Sequence, residues 1–394
     1  MRACHIAYAY FPADPRVRRE IDALRSAGHE VDVICLRAQG EARIESVQGT
    51  HITRVPLLAR RGGEVRYVFQ YALFFLLSSF ELLRLHRLRG FRIVHVHSLP
   101  DFQVFCSLPL KLRGVPVILD LHEAMPEIVS ARFRPRFGSF LVRLAKIAER
   151  VSVLFADQVV TVNETIGQLI TQRSRPSRDI LVVMNSPDKR LMRVGDVETL
   201  RRQLGLNADP AIVYVGGINP ERDLTTLLRA ASRLRNRLPL QVVIAGYGDP
   251  GYVQSLRDTA AKLPSSHPVL FLPRIPQEQV LTYLALSSLG VISYEQSPLT
   301  EIAIPTKVFE YAEAGKPMAI VRLPALVNLF GDAAEFFQAG DEGDLASAIE
   351  RILGNPVRAK DLVDKARKVL GPCSWEIMRG RLLTMYERVR GFTG

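Results

Sequence analysis

Short apolar runs alternate with stretches of helical periodicity through the first half of the chain. The runs are rich in β-branched residues and have the length of strands, and between them apolar residues recur every three or four positions. A helix is predicted from about residue 16 to residue 27, closed by Gly28. The predicted strands cover residues 5–10, 30–36, 93–97, 115–121 and 158–162. Such a series predicts a parallel sheet covered by helices on both faces.

The same alternation begins again after a polar segment. A strand at 180–184 ends in Asn185-Ser186-Pro187, and the mixed, charged residues 188–209 follow it. The second series of predicted strands covers residues 211–215, 240–245, 269–272, 289–293 and 318–321, and a further helix is predicted at about 375–389. Because 394 residues are too many for one ordinary core, we expect two doubly wound α/β domains joined near residues 186–205.

Composition and charge narrow the class of protein. With 47% apolar and 23% charged residues, the chain has the balance of a globular protein. The net charge of +12 is concentrated in residues 1–190, which carry +10 against +2 for residues 191–394. An excess confined to one half predicts that this half meets something anionic. Four scattered cysteines favour free thiols in a reducing compartment, and no signal peptide is expected.

One apolar stretch, residues 67–80, bears on membrane contact. Its 14 residues are fewer than the roughly 20 that a membrane-spanning helix needs, so no such span is expected. Two interpretations remain: a helix packed into the N-terminal domain, or a helix lying on an anionic membrane surface. Basic residues flank the stretch on both sides, namely Arg60, Arg61, Arg66, Arg84, Arg87, Arg89 and Arg92.

The residues around Lys307 carry the clearest chemical signal. Pro305 suits the first turn of a helix, and Gly315 followed by Pro317 suits its end. The N-terminus of such a helix attracts anions, and Lys307 adds a full positive charge beside it. Glu310 lies three residues on, on the same face, and can accept hydrogen bonds from hydroxyl groups of a phosphate-bearing ligand. The alternative is that Lys307 and Glu310 only pair with each other at the surface.

Two other predicted strands of the second half end in glycines. Gly216-Gly217 follows the strand at 211–215, and Gly246 follows the strand at 240–245. Glycine lets the backbone approach a ligand closely, and Arg222 can bind a phosphate through two N–H groups. Parallel sheets bind ligands at the carboxyl ends of their strands. Three such features on one sheet predict a phosphate-bearing ligand in this half.

Polar residues also follow strands of the first half. Asp120 and His122 lie at the end of an apolar strand, where a ligand would lie, so a functional role is favoured for His122 over a structural one. His95 and His97 alternate along another strand. For His95 we favour packing, and the role of His97 stays open.

Two groups of basic residues in the first half leave alternatives open. Asp14 and Arg16 follow the first strand, and the arginine is either an ordinary helix charge or a contact for an anionic acceptor. Residues 132–137 interleave arginine with phenylalanine, which suits nucleic acid but suits lipid headgroups or phosphate equally. We expect no specific nucleic-acid binding.

On these motifs, nearly the whole chain resembles the retaining family 4 glycosyltransferases of GT-B architecture. The resemblance rests on residues 12–20, 27–31, 120–123 and 214–222, and most specifically on Pro-Thr-Lys-Val-Phe-Glu-Tyr-Ala-Glu-Ala-Gly-Lys-Pro at 305–317. It implies two Rossmann-like domains facing each other across a cleft. The implied parts are an acceptor-side domain at 1–187, a nucleotide-sugar domain at 205–372, and a C-terminal helix at 373–394 that packs back on the first domain.

The resemblance also implies roles for particular residues. Glu310 would bind the nucleotide ribose, and Lys307 and Arg222 would hold the diphosphate. His122 would be the catalytic residue that contacts the transferred sugar. The other implied donor contacts are Gly217, Gly246, Arg274, Ile275 and Thr306, with the base near Arg274 and Ile275, and the implied acceptor-side contacts are Asp14, Arg16 and His97.

One position departs from the family's pattern. Many members carry Glu-x7-Glu, whose first glutamate touches the donor sugar, but Ile302 occupies that position and Glu301 stands one residue away. Variants of the family with Pro-x-Lys-x-Phe-Glu-Tyr share this gap, so activity is still expected. The donor sugar and its base are not predicted.

The function implied by the resemblance is retaining, metal-independent transfer of a hexose or N-acetylhexosamine from a nucleoside-diphosphate sugar. No cofactor or metal is expected. The expected acceptor is a glycan or lipid-linked molecule of cell-surface polysaccharide biosynthesis, met by a cytoplasmic enzyme in peripheral contact with the inner face of an anionic membrane. Two alternatives stay open, a UDP-sugar 2-epimerase-like enzyme and a non-catalytic nucleotide-binding protein of the same fold.

Overall fold

The computed structural model describes residues 1–59, 64–132, 135–189, 193–234, 237–263 and 269–391. Contacts divide the chain into two compact units. The first unit comprises Met1–Asn185 and Glu376–Gly394, and the second comprises Ser186–Trp375. The side chains of segment 132–137, and the residues Arg60 and Arg61, lie outside the described residues, so interpretations that rest on them stay predictions.

An eight-stranded sheet forms the centre of the first unit. The strand order is β3-β4-β2-β1-β5-β6-β7-β8, and every neighbouring pair is parallel except β3 with β4. The elements in chain order are β1 (Arg2–Tyr10), α1 (Pro15–Ser26), β2 (Glu30–Leu36), β3 (Ile44–Val47), β4 (Thr50–Val55), α2 (Glu64–Arg89), β5 (Ile93–His97), a 3-10 helix (Asp101–Ser107), α3 (Leu108–Lys111), β6 (Val117–Leu121), α4 (Met125–Arg132), α5 (Pro135–Phe155), β7 (Gln158–Thr161), α6 (Glu164–Ser174) and β8 (Leu181–Val182).

The strand order of the first unit is doubly wound. The chain moves outward from β1 through β2 to β4, then crosses to β5 and moves outward on the other side to β8. Because crossovers between parallel strands are right-handed, the two directions place their helices on opposite faces of the sheet. Side chains of β1 alternate accordingly, so that Tyr8 packs on Tyr71 and Phe74 of α2 and His5 faces away from α2.

The described residues of the second unit form six parallel strands in two three-stranded sheets. Their orders are β11-β10-β9 and β12-β13-β14, with a bridge between Ile212 and Leu289. The elements are α7 (Val197–Gln203), β9 (Ala211–Ile218), α8 (Leu224–Leu234), β10 (Gln241–Gly248), α9 (Pro250–Ala260), β11 (Val269–Leu272), α10 (Val280–Leu286), β12 (Gly290–Ile292), α11 (Lys307–Glu313), β13 (Met318–Val321), α12 (Pro324–Phe330), β14 (Glu335–Phe337), α13 (Glu342–Leu353) and α14 (Pro356–Leu370). Short 3-10 helices lie at Pro220–Arg222, Gln277–Gln279, Thr300–Ile302 and Gly371–Cys373.

A final helix, α15 (Trp375–Arg390), contributes to the core of the first unit. Its side chains at helical spacing are fully or almost fully buried, and the hydroxyl of one of them, Tyr386, bonds to His5 of β1. The buried stripe consists of Met378, Leu382, Met385, Tyr386 and Val389.

The predicted α/β class with two parallel-sheet series is confirmed. The strands predicted at 30–36, 93–97, 269–272 and 318–321 have the observed bounds. The predicted strand at 180–184 is shorter than expected, and β3, β4 and β14 were not predicted. The placement of Pro305 in a helical first turn is wrong. The helix α11 begins at Lys307, and the Pro305 carbonyl accepts a hydrogen bond from the Val308 amide in the preceding turn.

The apolar stretch 67–80 belongs to a longer helix than expected. Helix α2 continues through Glu81, which pairs with Arg43 at 2.6 Å and with Arg84 at 2.7 Å, and the side chains of Leu82 and Leu85 that follow are buried. Among the described residues, one helix segment, Arg66–Arg89, is long and apolar enough to cross a membrane by length and composition. Of its most apolar stretch of 18 residues, 33% is buried. The argument that the stretch is too short therefore does not hold for the helix.

Candidate active site

Two glycines bring the backbone of the second unit against Lys307. Gly216 and Gly246 pair across β9 and β10, and both have positive φ angles, 154° and 149°. A β-carbon on Gly246 would lie 1.8 Å from the Gly216 carbonyl oxygen, and one on Gly216 would lie 2.7 Å from Lys307 Nζ. Only glycine fits at either position without displacing a neighbour. The lysine ammonium therefore lies directly on the carboxyl ends of these strands.

Lys307 is largely buried beside an aromatic ring and a carboxylate. Its Nζ lies 5.2 Å from the centre of the Tyr214 ring and 3.7 Å from Glu310 Oε2, farther than a hydrogen bond. Burial lowers the pKa of Lys307, while the charge of Glu310 opposes that shift. A cation that is costly to desolvate, and that is not fully paired, favours an additional anion.

Arg222 and Glu310 each have one buried side-chain atom that makes no hydrogen bond among the described residues. The Arg222 guanidinium stacks on Tyr294 at 4.6 Å from the ring centre, and the Arg222 carbonyl accepts from Ser293 at 3.1 Å. Arg222 Nε and Glu310 Oε2 are buried without a hydrogen-bond partner in the described part of the chain. Buried polar atoms without partners are rare and costly. A ligand with an acceptor for Arg222 and a donor for Glu310 would satisfy both.

The position of α11 is fixed from the core side. The Tyr311 hydroxyl donates to the Val213 carbonyl of β9 at 2.8 Å. A β-carbon on Gly290 would lie 2.5 Å from the Tyr311 ring, so glycine lets this ring seat against β12. Thr306, just before the helix, makes no side-chain capping bond and is exposed.

The remaining predicted donor residues lie along the same edge of the sheet. Gly217 pairs with Tyr247 across β9 and β10, and the Arg274 guanidinium lies 5.6 Å from the centre of the Tyr247 ring. Ile275 follows and is buried. At the departure from the family's pattern, Ile302 ends a 3-10 helix, and Glu301 accepts a hydrogen bond from Gln296 at 2.9 Å.

A pocket of about 440 Å³ opens in the first unit at the carboxyl ends of β1, β5 and β6. Four residues singled out in the sequence line it together: Asp14, Arg16, His97 and His122. Tyrosines at the end of β1 and on α2 complete the wall and were not predicted, namely Tyr8, Tyr10 and Tyr71. The alternation of β1 could have indicated the first two, because both lie at its carboxyl end.

Asp14 and Arg16 form a pair at the rim of this pocket. Asp14 caps α1 by accepting from the Arg16 and Val17 amides at 2.9 and 3.4 Å, and the Arg16 guanidinium donates to both carboxylate oxygens at 3.3 and 2.9 Å. Burial acts to raise the pKa of Asp14, but the hydrogen bonds and charge of Arg16 outweigh it and lower the pKa to about 2. Arg16 is therefore held in place by the cap and is not a free helix charge.

A buried chain of histidines runs from the pocket wall to α15. His122 Nε2 lies 3.0 Å from His97 Nδ1, and His97 Nε2 lies 2.9 Å from His5 Nδ1. The Tyr386 oxygen lies 3.0 Å from His5 Nε2 and 2.7 Å from His95 Nδ1. The rings of His95 and His97 stack with centroids 4.5 Å apart. His95 is buried, and its ring packs on the ring of His97.

Asp120 supplies the negative charge of this chain. Its Oδ2 lies 3.1 Å from His97 Nδ1 and 3.2 Å from His122 Nε2. Burial acts to raise the pKa of Asp120, but its interactions with His122 and His97 lower it below its usual range. Burial lowers the pKa of His122 to about 3. At neutral pH Asp120 is thus ionised and His122 is neutral.

One assignment of protons gives each contact of Tyr386 and of Asp120 a donor and an acceptor. Tyr386 donates to His5 and accepts from His95, His5 donates to His97, and both His97 and His122 donate to Asp120. The contact of 3.0 Å between His97 Nδ1 and His122 Nε2 is then one between two donors that share this carboxylate. His122 Nδ1 then keeps a free lone pair, and it has no hydrogen-bond partner among the described residues.

The same cluster contains a possible set of metal ligands that the sequence did not predict. Glu20, His95, His97 and Asp120 have ligand atoms within 4.8 Å of one another. Burial, reinforced by the charge of Asp120, raises the pKa of Glu20, so a proton on Glu20 can take the place of a cation. Metal independence stays a prediction.

Comparison with known proteins matches both units to enzyme families. The family described as "Glycosyl transferase 4-like domain" matches residues 13–186, and "Glycosyl transferases group 1" matches residues 196–369. Among curated proteins, the putative teichuronic acid biosynthesis glycosyltransferase TuaH of Bacillus subtilis (strain 168) is 24% identical over 66% of this chain and 63% of its own. D-inositol 3-phosphate glycosyltransferase of Nocardia farcinica is 29% identical over 61% of this chain and 55% of its own. The chain thus spans less than two thirds of each relative.

Solved structures match over almost the full length. Sucrose-phosphate synthase from Thermosynechococcus elongatus has a TM-score of 0.80 at 17% identity, covering 99% of both chains. Anabaena Alr3699/HepE in complex with UDP-glucose has a TM-score of 0.72 at 13% identity, covering 98% of this chain and 100% of its own. At these identities the likeness shows the fold, which is GT-B.

Proposed function

We propose that this chain transfers a hexose or N-acetylhexosamine from a nucleoside-diphosphate sugar. The chain belongs to the group 1 glycosyltransferases and has a glycosyltransferase 4-like first domain. The families and relatives favour a glycosyltransferase over a 2-epimerase-like enzyme or a non-catalytic binding protein. The donor class, the stereochemistry and the acceptor are parts of the proposal.

The observation that carries the donor proposal is the incompletely paired group of Lys307, Arg222 and Glu310. Two cations and a carboxylate lie at the carboxyl ends of β9 and β12, and two of these side chains have a buried atom without a partner among the described residues. A diphosphate would accept from Arg222 and pair with Lys307, and a ribose hydroxyl would donate to Glu310. Gly216 lets the backbone come close to the same ligand.

The chemistry follows from where charge develops. As the bond from sugar to phosphate breaks, negative charge grows on the leaving diphosphate and positive charge on the sugar ring. Lys307 and Arg222 stabilise the leaving group because they are already in place before the reaction begins. We expect no metal requirement, because these two cations supply the charge.

His122 would serve the sugar side of the reaction. Burial keeps it neutral, and its Nδ1 can accept a hydrogen bond from a sugar hydroxyl while Asp120 fixes the opposite nitrogen. We propose a retaining outcome in which the acceptor attacks on the face that the diphosphate leaves. This route needs no carboxylate nucleophile.

The pocket of the first unit is proposed to take the acceptor. Its wall combines tyrosines with Asp14, Arg16 and His97, a mixture that suits a hydroxyl-rich ligand. The relative named for teichuronic acid biosynthesis supports a glycan or lipid-linked acceptor in cell-surface polysaccharide synthesis. We propose a cytoplasmic enzyme in peripheral contact with an anionic membrane.

The first test is a thermal-shift screen of the purified chain against UDP, GDP, ADP, CMP and their common sugars, without added metal. A ligand at ~100 times its dissociation constant stabilises the folded state by about 2.7 kcal/mol. We expect a clear rise in Tm with one nucleotide family, and loss of that rise in Lys307→Ala and Glu310→Ala. The surface variant Lys360→Ala, exposed on α14, is the matched control and keeps the shift.

Two outcomes would count against the proposal. Absence of any nucleotide shift would contradict a nucleotide-sugar donor. A shift that persists in both site variants would place the nucleotide elsewhere. Incubation of the stabilising nucleotide-sugar with candidate acceptors, followed by NMR of the new anomeric linkage, then tests retention directly.

A further inference from the structure

A stripe of apolar side chains runs along the outer side of α5. Phe140, Leu144, Ile147, Val151 and Leu154 are each between 48% and 68% exposed. Their alternating spacing of four and three residues places them in one line along the helix. Contiguous exposed apolar surface on a folded protein marks a place of interaction.

The opposite side of α5 already has its partners. Ala145, Glu149, Ser152 and Val153 are buried, and the helix packs on α4, α6 and the 3-10 helix at Asp101–Ser107. The exposed stripe is therefore not required for the core of the first unit.

The apolar surface continues onto α3. The ring of Phe105, in the turn before α3, lies 4.9 Å from the ring of Phe155, and Lys111 Nζ lies 5.2 Å from the centre of the Phe155 ring. Leu108 of α3 and Leu112, directly after this helix, are 45% and 80% exposed. The end of α5 and the outer side of α3 thus form neighbouring parts of one surface.

The charges beside the stripe are of one sign. Arg143, Lys146 and Arg150 are exposed, and the helical spacing places them along the same flank of the stripe. Between residues 140 and 155 the sequence holds one acidic residue, Glu149, and it is buried on the other side. The exposed charge of this part of α5 is therefore entirely positive.

We infer that this surface, the α5 stripe with its basic flank, docks the protein on an anionic lipid bilayer. An apolar stripe with lysine and arginine beside it lies in the headgroup region with its apolar side chains inserted, and the cations meet lipid phosphates. A second copy of the chain fits less well, because the exposed part of α5 offers no carboxylate to pair with these cations.

This inference rests on the proposed function only for its purpose, access to a membrane-borne acceptor. It assigns the membrane contact to α5 and not to the stretch 67–80. The stretch 67–80 contains no lysine or arginine, so the basic residues near it lie only beyond its two ends and not alongside its apolar side chains. Lipid binding can be measured without any substrate, so it fails or succeeds independently of sugar transfer.

The test is co-sedimentation of the purified full chain with vesicles of phosphatidylcholine alone or mixed with phosphatidylglycerol. We expect binding to the anionic vesicles that weakens with salt. Ile147→Glu with Val151→Glu should abolish it, and Arg143→Gln, Lys146→Gln and Arg150→Gln together should weaken it roughly fivefold per charge removed. Leu76→Glu with Phe80→Glu, exposed on α2, is the matched control and should bind as the parent does.

An unchanged Tm without ligand in each variant shows that the fold is intact. Three results would overturn the inference: no vesicle binding by the parent chain, unchanged binding in the α5 variants, or loss of binding in the α2 control alone. A parent chain that is dimeric, and that Ile147→Glu with Val151→Glu makes monomeric, would assign the stripe to self-association and equally overturn it.

Discussion

The side-chain nitrogen of Lys307 lies 2.7 Å from the point that a β-carbon on Gly216 would occupy. Backbone and cation thus share one small volume at the end of β9. The sequence separates the two residues by 91 positions, yet each depends on the identity of the other. Removing either one alters the place proposed for the donor diphosphate.

Gly216→Ala should impair transfer while the chain still folds. The flexible end of Lys307 must move away, and a misplaced catalytic group costs on the order of 100-fold in kcat/KM, whereas backbone strain at this positive φ costs about 1–3 kcal/mol of stability. Steady-state transfer kinetics and urea unfolding measure the two effects. Gly246→Ala is the contrast. Its β-carbon would lie 1.8 Å from a backbone carbonyl oxygen, so we expect failure to fold. A folded, stable Gly246→Ala protein would contradict the packing of β9 on β10.

Lys307→Ala should lower kcat by about 100- to 1000-fold once a donor is known, the usual effect of removing one pre-placed group that stabilises a leaving anion. The measurement is steady-state transfer at saturating acceptor. Lys360→Ala should match the parent. Equal kcat in the Lys307 variant would mean that the diphosphate leaves without its help.

Tyr386→Phe should destabilise the first unit. Loss of the hydroxyl leaves buried nitrogens of His5 and His95 without their partner, and an unsatisfied buried group costs about 1–3 kcal/mol. Urea unfolding at neutral pH measures the change. Tyr247→Phe, where the side chain is 62% exposed, should be neutral to stability. Equal stability of Tyr386→Phe and the parent would argue against the hydrogen-bonded chain.

Glu149→Gln should change how stability depends on pH. Burial raises the pKa of Glu149 to about 7 from an ordinary value of 4.5, with Arg173 opposing and Glu127 adding to the shift. A raised carboxyl pKa means that its stability contribution is complete below the ordinary value and is lost as pH rises towards 7. The free energy of unfolding of the variant, relative to that of the parent, should therefore increase from pH 5 to pH 8. Urea unfolding of both proteins at both pH values tests this, and a difference in free energy that does not change with pH would contradict it.

Chelation should leave the transfer rate unchanged. Lys307 and Arg222 supply the positive charge at the proposed donor site, and a proton on Glu20 is expected to replace any cation among Glu20, His95, His97 and Asp120. Dialysis against EDTA followed by elemental analysis and assay checks this. Stoichiometric zinc that survives gel filtration, with a fall in Tm when it is removed, would instead assign the cluster as a metal site.

The central strands could be predicted because buried parallel strands are continuous apolar runs. Ile93–His97 and Met318–Val321 have this pattern and match the structure. The strand β3 was not predicted because it is largely exposed, with Ile44 51% exposed. The strand β4 is mostly buried, but His51, Thr53 and Arg54 interrupt its apolar pattern. The length of α2 was not predicted because Glu81 ends the apolar run, and its ion-pair partner Arg43 lies 38 residues away in sequence.

In the candidate site, too, the sequence could predict contacts within one motif but not contacts between distant segments. Lys307 and Glu310 lie within one contiguous motif, so the sequence could predict that they lie close together. The chain from His122 to Tyr386 could not be predicted, because Tyr386 lies 381 positions from His5 and 291 from His95. No local pattern carries a contact over such a distance. The same holds for the stacking of Arg222 on Tyr294, which depends on how two loops meet.

Helix α15 is synthesised long after the other elements of the first unit. The 190 residues of Ser186–Trp375 separate α15 from the rest of its unit, so a ribosome adding roughly 5–20 residues per second needs roughly 10–40 s to bridge that gap. During this interval the second unit can fold, while the nascent first unit still lacks Tyr386 and the apolar stripe around it. The first unit is thus begun first and completed last, and the surface that α15 covers stays open in the interval.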